Sequence, residues 1–186
     1  MEYVWLGDAQ AGPTIRLDHR VFSYAGKFVM STTGKAIIEV DGDVVAAISF
    51  NDDRTDPSQA WLRYLTVHRS HRGEGYGPRL AGAVSQRLLA DRYERVLIAV
   101  NNPFAYEALY RAGFGYTGRE TGIAELVLAR PSDRSTEQYQ DGYAKFSSRE
   151  SLAEEEMTFI ERKRGTKPPD SEAQAVSWRV ESPGSP

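Results

Sequence analysis

Apolar and polar positions alternate most clearly on either side of Asp41-Gly42, where two runs rich in Val, Ile and Ala meet. Asp-Gly between such runs specifies a two-residue type I′ hairpin, so strands are expected over residues 35–40 and 43–50. Residues 61–67 alternate again, with Trp61, Arg63, Leu65 and Val67 on one face and Leu62, Tyr64 and Thr66 on the other. The polar, proline-interrupted stretch 51–59 is a loop. The period then changes. Leu80, Val84 and Leu88, joined by Ala81 and Ala83, form one stripe and predict a core-facing helix over 77–91, with Pro78 tolerated in its first turn. The unbroken apolar run 95–100 fits a strand buried on both faces. Pro103 opens a short helix that Gly113 terminates. Residues 116–122 read as a connector and 123–129 as the last strand, interrupted by Glu125.

The two ends of the chain are patterned differently. Residues 3–6 suit a short first strand and 8–13 a turn. Ile15, Leu17, Val21, Tyr24 and Phe28 fall at mostly helical spacings, interrupted at Gly26, which predicts one or two short helices over 14–30. Pro131 marks a boundary, so 1–130 is expected as one domain and 131–170 as a helical C-terminal extension. The extension should hold a helical turn near 139–146. A helix then starts at the capping box Ser151-Leu-Ala-Glu154 and ends in Arg162-Lys163-Arg164. Its apolar side (Leu152, Met157, Phe159, Ile160) must pack on the main domain or on a second copy in a homodimer. Residues 171–186 are expected to be a disordered tail.

Composition narrows the classes. In 186 residues, 40% hydrophobic with ten Tyr, seven Phe and three Trp, there is enough apolar material for one sizeable core. No eighteen-residue apolar run exists, so no membrane span is expected. Without cysteine there is no disulfide, thiol nucleophile or thiolate metal site. The net charge of −3 argues against a general nucleic-acid surface, and the cluster 162–164 fits a dipole-matched helix end better than a nucleic-acid patch. A soluble cytoplasmic protein is the expectation.

The chemistry concentrates in Arg72-Gly-Glu-Gly-Tyr-Gly77, between strand and helix. Alternate glycines let backbone approach a ligand, and the helix start aims free N–H groups and a positive dipole end at the turn. That is an anion site suited to phosphate. Neither the G-x-G-x-x-G spacing nor a Gly-Lys-Ser/Thr loop is present.

Arg72-x-x-Gly75-x-Gly77, followed by Asn101-Asn-Pro-Phe-Ala-Tyr-Glu-Ala-Leu-Tyr-Arg-Ala-Gly-Phe114, resembles two motifs of the GNAT-type N-acetyltransferase superfamily. The resemblance covers roughly residues 30–130, the first thirty loosely and the last fifty-five not at all. It implies an α/β (α+β type) fold: a mixed, mostly antiparallel sheet flanked by helices. It implies acetyl-CoA as acyl donor, its pyrophosphate on the backbone of Arg72, Gly73, Glu74, Gly75, Tyr76 and Gly77. Its pantetheine arm would lie along Leu65, Thr66 and Val67 and touch Asn102. Tyr110 would be the general acid for the leaving thiolate, and a backbone N–H near Thr66 or Val67 would hold the oxyanion. No metal is implied. The acceptor would be a small-molecule or peptide amine, with Tyr24, Lys27 and Phe28 candidates to line its pocket; the plain alternative makes the aromatics core and Lys27 solvated.

The sequence departs from the family at the base. Residues 61–67 carry no carboxylate, and Asp52, Asp53, Asp56, Glu125 and His68 all remain open as proton acceptors. His68-x-x-His71 is a weak metal motif. A second reading therefore stands beside N-acyl transfer: an acyl-CoA-binding sensor or assembly module of the same fold, catalytically weak. A third, a nucleic-acid-associated acetyltransferase, has the acidic balance against it.

Overall fold

The computed structural model describes residues 1–181. Eight strands form one sheet: β1 Glu2–Gly7, β2 Gly34–Val40, β3 Asp43–Asp52, β4 Gln59–Val67, β5 Arg95–Val100, β6 Gly115–Glu120, β7 Leu126–Arg130 and β8 Trp178–Val180. Their spatial order is β6-β7-β5-β4-β3-β2-β1-β8. β4 runs parallel to β5 and β1 parallel to β8, and the other neighbours are antiparallel. The helices are α1 Tyr76–Asp91, α2 Pro103–Arg111, α3 Thr136–Ser147 and α4 Glu154–Lys163. This is the expected mixed, mostly antiparallel sheet flanked by helices.

All four helices pack on one face. That core joins Ile38, Ile48, Leu62 and Leu128 of the sheet to Leu80 and Val84 of α1, Leu109 of α2, Phe146 of α3 and Ile160 of α4. The opposite face carries Val4, Ile37 and Ala47, covered by Ile15, Leu17 and Phe28 of the segment between β1 and β2. The β2–β3 hairpin turns at Asp41 (φ 52°) and Gly42 (φ 87°), as Asp-Gly predicts.

The sequence expectations fail in five places. Residues 14–30 form no α-helix, only a 3₁₀ turn at Ala25–Lys27. Tyr24 sits in the left-handed region, and the segment is tied down instead by Ile15 N–H to Phe28 O and Arg69 N–H to Val21 O. The expected connector 116–122 is largely strand β6, which pairs with β7 through residues as polar as Arg119 and Glu120. The helical turn near 139–146 is the full helix α3, capped by Ser135 Oγ, which accepts from Gln138 N–H. α4 begins two residues later than the Ser151 box, and the Glu156 carboxylate accepts from Ala153 N–H. Finally, residues 178–180 of the supposed disordered tail form β8. Trp178 packs edge-on against Tyr3 and Trp5. Residues 182–186 lie outside the described residues.

Candidate active site

The site originates in a bulge. β3 and β4 pair residue by residue from Ala46–Val67 to Ser49–Tyr64, then jump to Phe50–Leu62, leaving Arg63 without a partner. Such an insertion bends a strand and increases its local twist. On its other edge β4 pairs with β5 only from Gln59 to Leu62. Beyond the bulge the two parallel strands part, and a cleft of about 880 Å³ opens between them.

The bulge also resets which face each residue takes. Strict alternation would put Leu62 opposite Leu65; instead Ala60, Leu62, Leu65 and Val67 all join the helix-side core, while Tyr64 packs on the other side. His68 N–H donates to Val45 O at 2.8 Å, which fixes the phase of the antiparallel ladder. By its alternation Tyr64 and Thr66 turn their backbone toward β3, and Leu65 and Val67 turn theirs into the cleft. Of the three expected arm-binding residues, Leu65 thus offers free backbone and Val67 its N–H, the Val67 carbonyl accepting from Arg72 Nε at 3.5 Å. Thr66 offers its side chain, whose hydroxyl is buried without a hydrogen-bond partner.

The glycine turn lies at the mouth of this cleft. Gly73 and Gly75 hold φ of +85° and +84°, a conformation that requires little cost only of glycine. Arg79 N–H closes the first helical bond onto Gly75 O. The earlier N–H groups of α1 have no intrahelical acceptor and point, with the dipole, out of the helix start. Pro78 has no N–H to leave orphaned. Arg72 is anchored by Ser23 Oγ at 3.1 Å. Arg72, Gly73, Gly75, Tyr76 and Gly77 all line the cleft; Glu74 does not, and its carboxylate pairs with His71 at 3.3 Å.

The third side is α2. Asn102 is its N-cap, the Oδ1 accepting from Ala105 N–H at 2.9 Å, and it lines the cleft. Tyr110 is not brought there. Leu109 lines the cleft, and one residue later along a helix the side chain has turned by about 100°. Tyr110 is fully buried; its hydroxyl accepts from Tyr116 N–H at 2.9 Å and meets Tyr106 Oη at 3.3 Å. Burial also pushes this phenol up from its ordinary value. The expected general acid is therefore a core residue in a tyrosine cluster.

Glu107, which sequence reasoning passed over, lies at the cleft wall yet is only 5% exposed. Burial pushes its carboxyl up, but hydrogen bonds from Lys163, Tyr139 and Tyr143 prevail and hold it below the usual range. Both its oxygens are occupied, so it latches α2 to α3 and α4. Phe159 of α4 packs at a tilt against Phe104 of α2, ring centres 4.8 Å apart, and completes the same wall. Neither the bulge nor these long-range partners has a local sequence signal.

Four of the five candidate bases are engaged elsewhere. Asp52 is held by Arg92 and Tyr93. Asp53 accepts from Thr55, Asp56 and Trp61, which drives its pKa far down. Asp56 is tied to Ser58 and Gln59, chiefly the former, and is lowered too. His68 Nδ1 is engaged by Ser70. Only Glu125 of the five lines the cleft. Among the described residues no three His, Asp or Glu converge as metal ligands, and no helix is long and apolar enough to cross a membrane.

A model of the acetyltransferase (GNAT) family matches residues 9–116. Among solved structures the chain is similar to a ribosomal-protein-alanine N-acetyltransferase from Brucella melitensis, with 16% identity, a TM-score of 0.47, and 53% of this chain and 68% of that one covered. It is similar to an N-acetyltransferase from Staphylococcus aureus Mu50, with 20% identity, a TM-score of 0.44, and coverage of 52% and 64%. It is also similar to yncA of Salmonella typhimurium, a putative acetyltransferase solved with acetyl-CoA, with 16% identity, a TM-score of 0.47, and coverage of 52% and 63%. No curated protein matches the chain.

Proposed function

The chain belongs to the acetyltransferase (GNAT) family, and from that premise we propose that it moves an acetyl or short acyl group from CoA to a primary amine by direct attack. The observation that carries the reading is the parting of β4 from β5 beyond Leu62, beside the open first turn of α1. A pantetheine arm carries amides, and the backbone of Leu65 and Val67 is turned into the gap to pair with them as a neighbouring strand would. The pyrophosphate then falls on the N–H groups of the turn 73–77, with Arg72 adding charge.

The amine enters from the sheet face opposite the helices. Glu125 accepts its proton, directly or through one water, and the nitrogen attacks the thioester carbonyl. The N–H of Leu65 or Val67 is the donor for the tetrahedral oxyanion. With Tyr110 in the core, the leaving group departs as thiolate. Thiols ionise near pKa 8.5 and alkylamines near 10.4, so the intermediate expels thiolate in preference to amine without an obligatory acid.

The burial of Tyr110 favours one other reading: an acyl-CoA-binding module that turns over slowly or not at all. Titrating acetyl-CoA into the protein and into an Arg72→Ala, Gly75→Val double variant tests the shared part. Micromolar binding that the double variant loses, while its far-UV spectrum and melting stay cooperative, supports the cofactor site. Absence of binding by the intact protein removes it. Free-thiol release with an amine panel then separates enzyme from module, because a module binds and releases none.

A further inference from the structure

The two banks of the cleft carry opposite charge on the face away from the helices. On the β4 bank the bulge projects Arg63 beside Trp61, its guanidinium 5.2 Å from that ring and its Nε donating to Asn51 Oδ1 at 2.6 Å. Tyr64 follows, with Tyr24 leaning over it at 5.7 Å and Lys27, set back from the residues that line the cleft, holding its Nζ 5.7 Å from the Tyr64 ring centre. Among the described residues neither Arg63 nor Lys27 forms an ion pair, and Asp53, the acid whose charge is felt at Arg63, is saturated by its own loop. Tyr24 keeps a left-handed backbone (φ 59°) at this mouth, the kind of cost that persists where surrounding structure enforces it.

On the opposite bank stands Glu125, in the β6–β7 turn. Its neighbour Leu126 pairs with Val100 at the end of β5 and belongs to the helix-side core, so alternation directs Glu125 to the other face. Arg149, from the end of α3, donates to Ala124 O and Asn101 O and clamps this turn to β5. Glu125 is thus held on a fixed support, and among the described residues its side chain is bonded by Thr121 alone, at 3.3 Å.

We propose that the acceptor is a zwitterion, a small free amino acid whose carboxylate lies between Arg63 and Lys27 while its ammonium faces Glu125. This rests on the acyl-transfer reading and deepens it by naming the substrate class. A polyamine would set a second ammonium against two unpaired cations, a like-charge contact that desolvation makes costly. An amino acid satisfies both banks at once, and its ammonium is delivered to the group that removes its proton. One proton passes from the ammonium to the Glu125 carboxylate, the freed lone pair forms the N–C bond, and as the C–S bond breaks CoA leaves as thiolate while the second proton on nitrogen passes to water, leaving a neutral amide.

The test follows thiol release from acetyl-CoA with free amino acids, their methyl esters and putrescine. The expected result is at least one free amino acid used with kcat/KM ten-fold or more above its own ester. In Arg63→Met the KM of that amino acid should rise about ten-fold and the acid-to-ester ratio fall toward one, while acetyl-CoA still binds by titration. Arg63→Lys should recover most of the ratio, which a purely structural role of the side chain would not allow. Esters or putrescine used as well as the acids overturn the proposal. So does a protein that binds acetyl-CoA and uses no free amino acid, or a ratio unmoved in Arg63→Met. A protein that binds no acetyl-CoA takes down the transfer reading itself.

Discussion

Lys35 shows most sharply what one residue contributes here. It is fully buried on the face opposite the helices, where its ammonium donates to Pro13 O and Met30 O at 2.6 Å and to Thr33 O and Oγ1 at 3.0 Å. Burial pulls its pKa down to about 8, which still leaves it charged at neutral pH, and four oxygens around three N–H bonds are what that charge needs. The side chain nails the segment that forms the acceptor-side rim to the sheet. Lys35→Met keeps the length and removes the donors, stranding buried carbonyls at about 1–3 kcal/mol each if unsatisfied. The expected outcome is a fall in stability of about 3 kcal/mol by urea unfolding, with a raised acceptor KM and little change in acetyl-CoA affinity. An unchanged midpoint would mean that water replaces the ammonium. None of this was legible beforehand: in the sequence Lys35 merely opens a strand, and of its partners Pro13 was read as turn, Met30 as the end of a helical stretch, and Thr33 carried no signal.

At the scale of elements, what could be read locally was read well. The Asp41-Gly42 hairpin, the Leu80–Val84–Leu88 stripe and the glycine turn each carry their determinants within a few residues, and each forms as expected. The bulge at Arg63 could not be read, because it depends on how β4 is shared between an antiparallel and a parallel neighbour. Tyr110 was misplaced by a single step of helix phase, which decides between the cleft and the core. The α2–α3 crossing depends on Gly142, since a Cβ there would overlap the Tyr106 hydroxyl and ring. Tyr106 is fully buried and its hydroxyl donates to Tyr139 O at 3.1 Å, so the ring cannot swing aside. Gly142→Ala, a change that would raise helix propensity at an exposed site, should instead cost about 2–3 kcal/mol by overpacking. Thermal melts followed by circular dichroism decide it, and a stabilised variant would show that α3 can ride outward on α2.

For the whole molecule, the family match ends at residue 116, but the core does not. Tyr139, Tyr143, Phe146 and Ile160 belong to the same apolar cluster as α1 and the sheet, and the Lys163–Glu107 pair closes over the cleft wall. The boundary drawn at residue 130 is therefore a proposal about evolution of the chain more than about its folding, and truncation distinguishes the two. A chain ending at Arg130 strips Glu107 of Lys163, Tyr139 and Tyr143, leaving the carboxylate open to water with only Arg111 beside it at 3.9 Å. It also uncovers the aromatic face around Tyr106, so that summed loss approaches the whole stability of an ordinary domain. That chain should show no cooperative melt. Among the described residues, a chain ending at Ser177 loses β8 and Glu181: three residues of parallel pairing, the Glu181 N–H bond to Trp5 O, the edge-on packing of Trp178 against Tyr3 and Trp5, and the Arg179 contacts with Glu2 and Glu39. The exposed ion pairs count for little, and the Trp178 contacts for about 2–3 kcal/mol. At 2–4 °C per kcal/mol for a chain of this size, its melting point should drop by about 5–10 °C with the transition still cooperative. If the chain ending at Arg130 melts cooperatively and binds acetyl-CoA, the C-terminal helices are a detachable cover. If it does not, they are the part of the core that the first 130 residues lack.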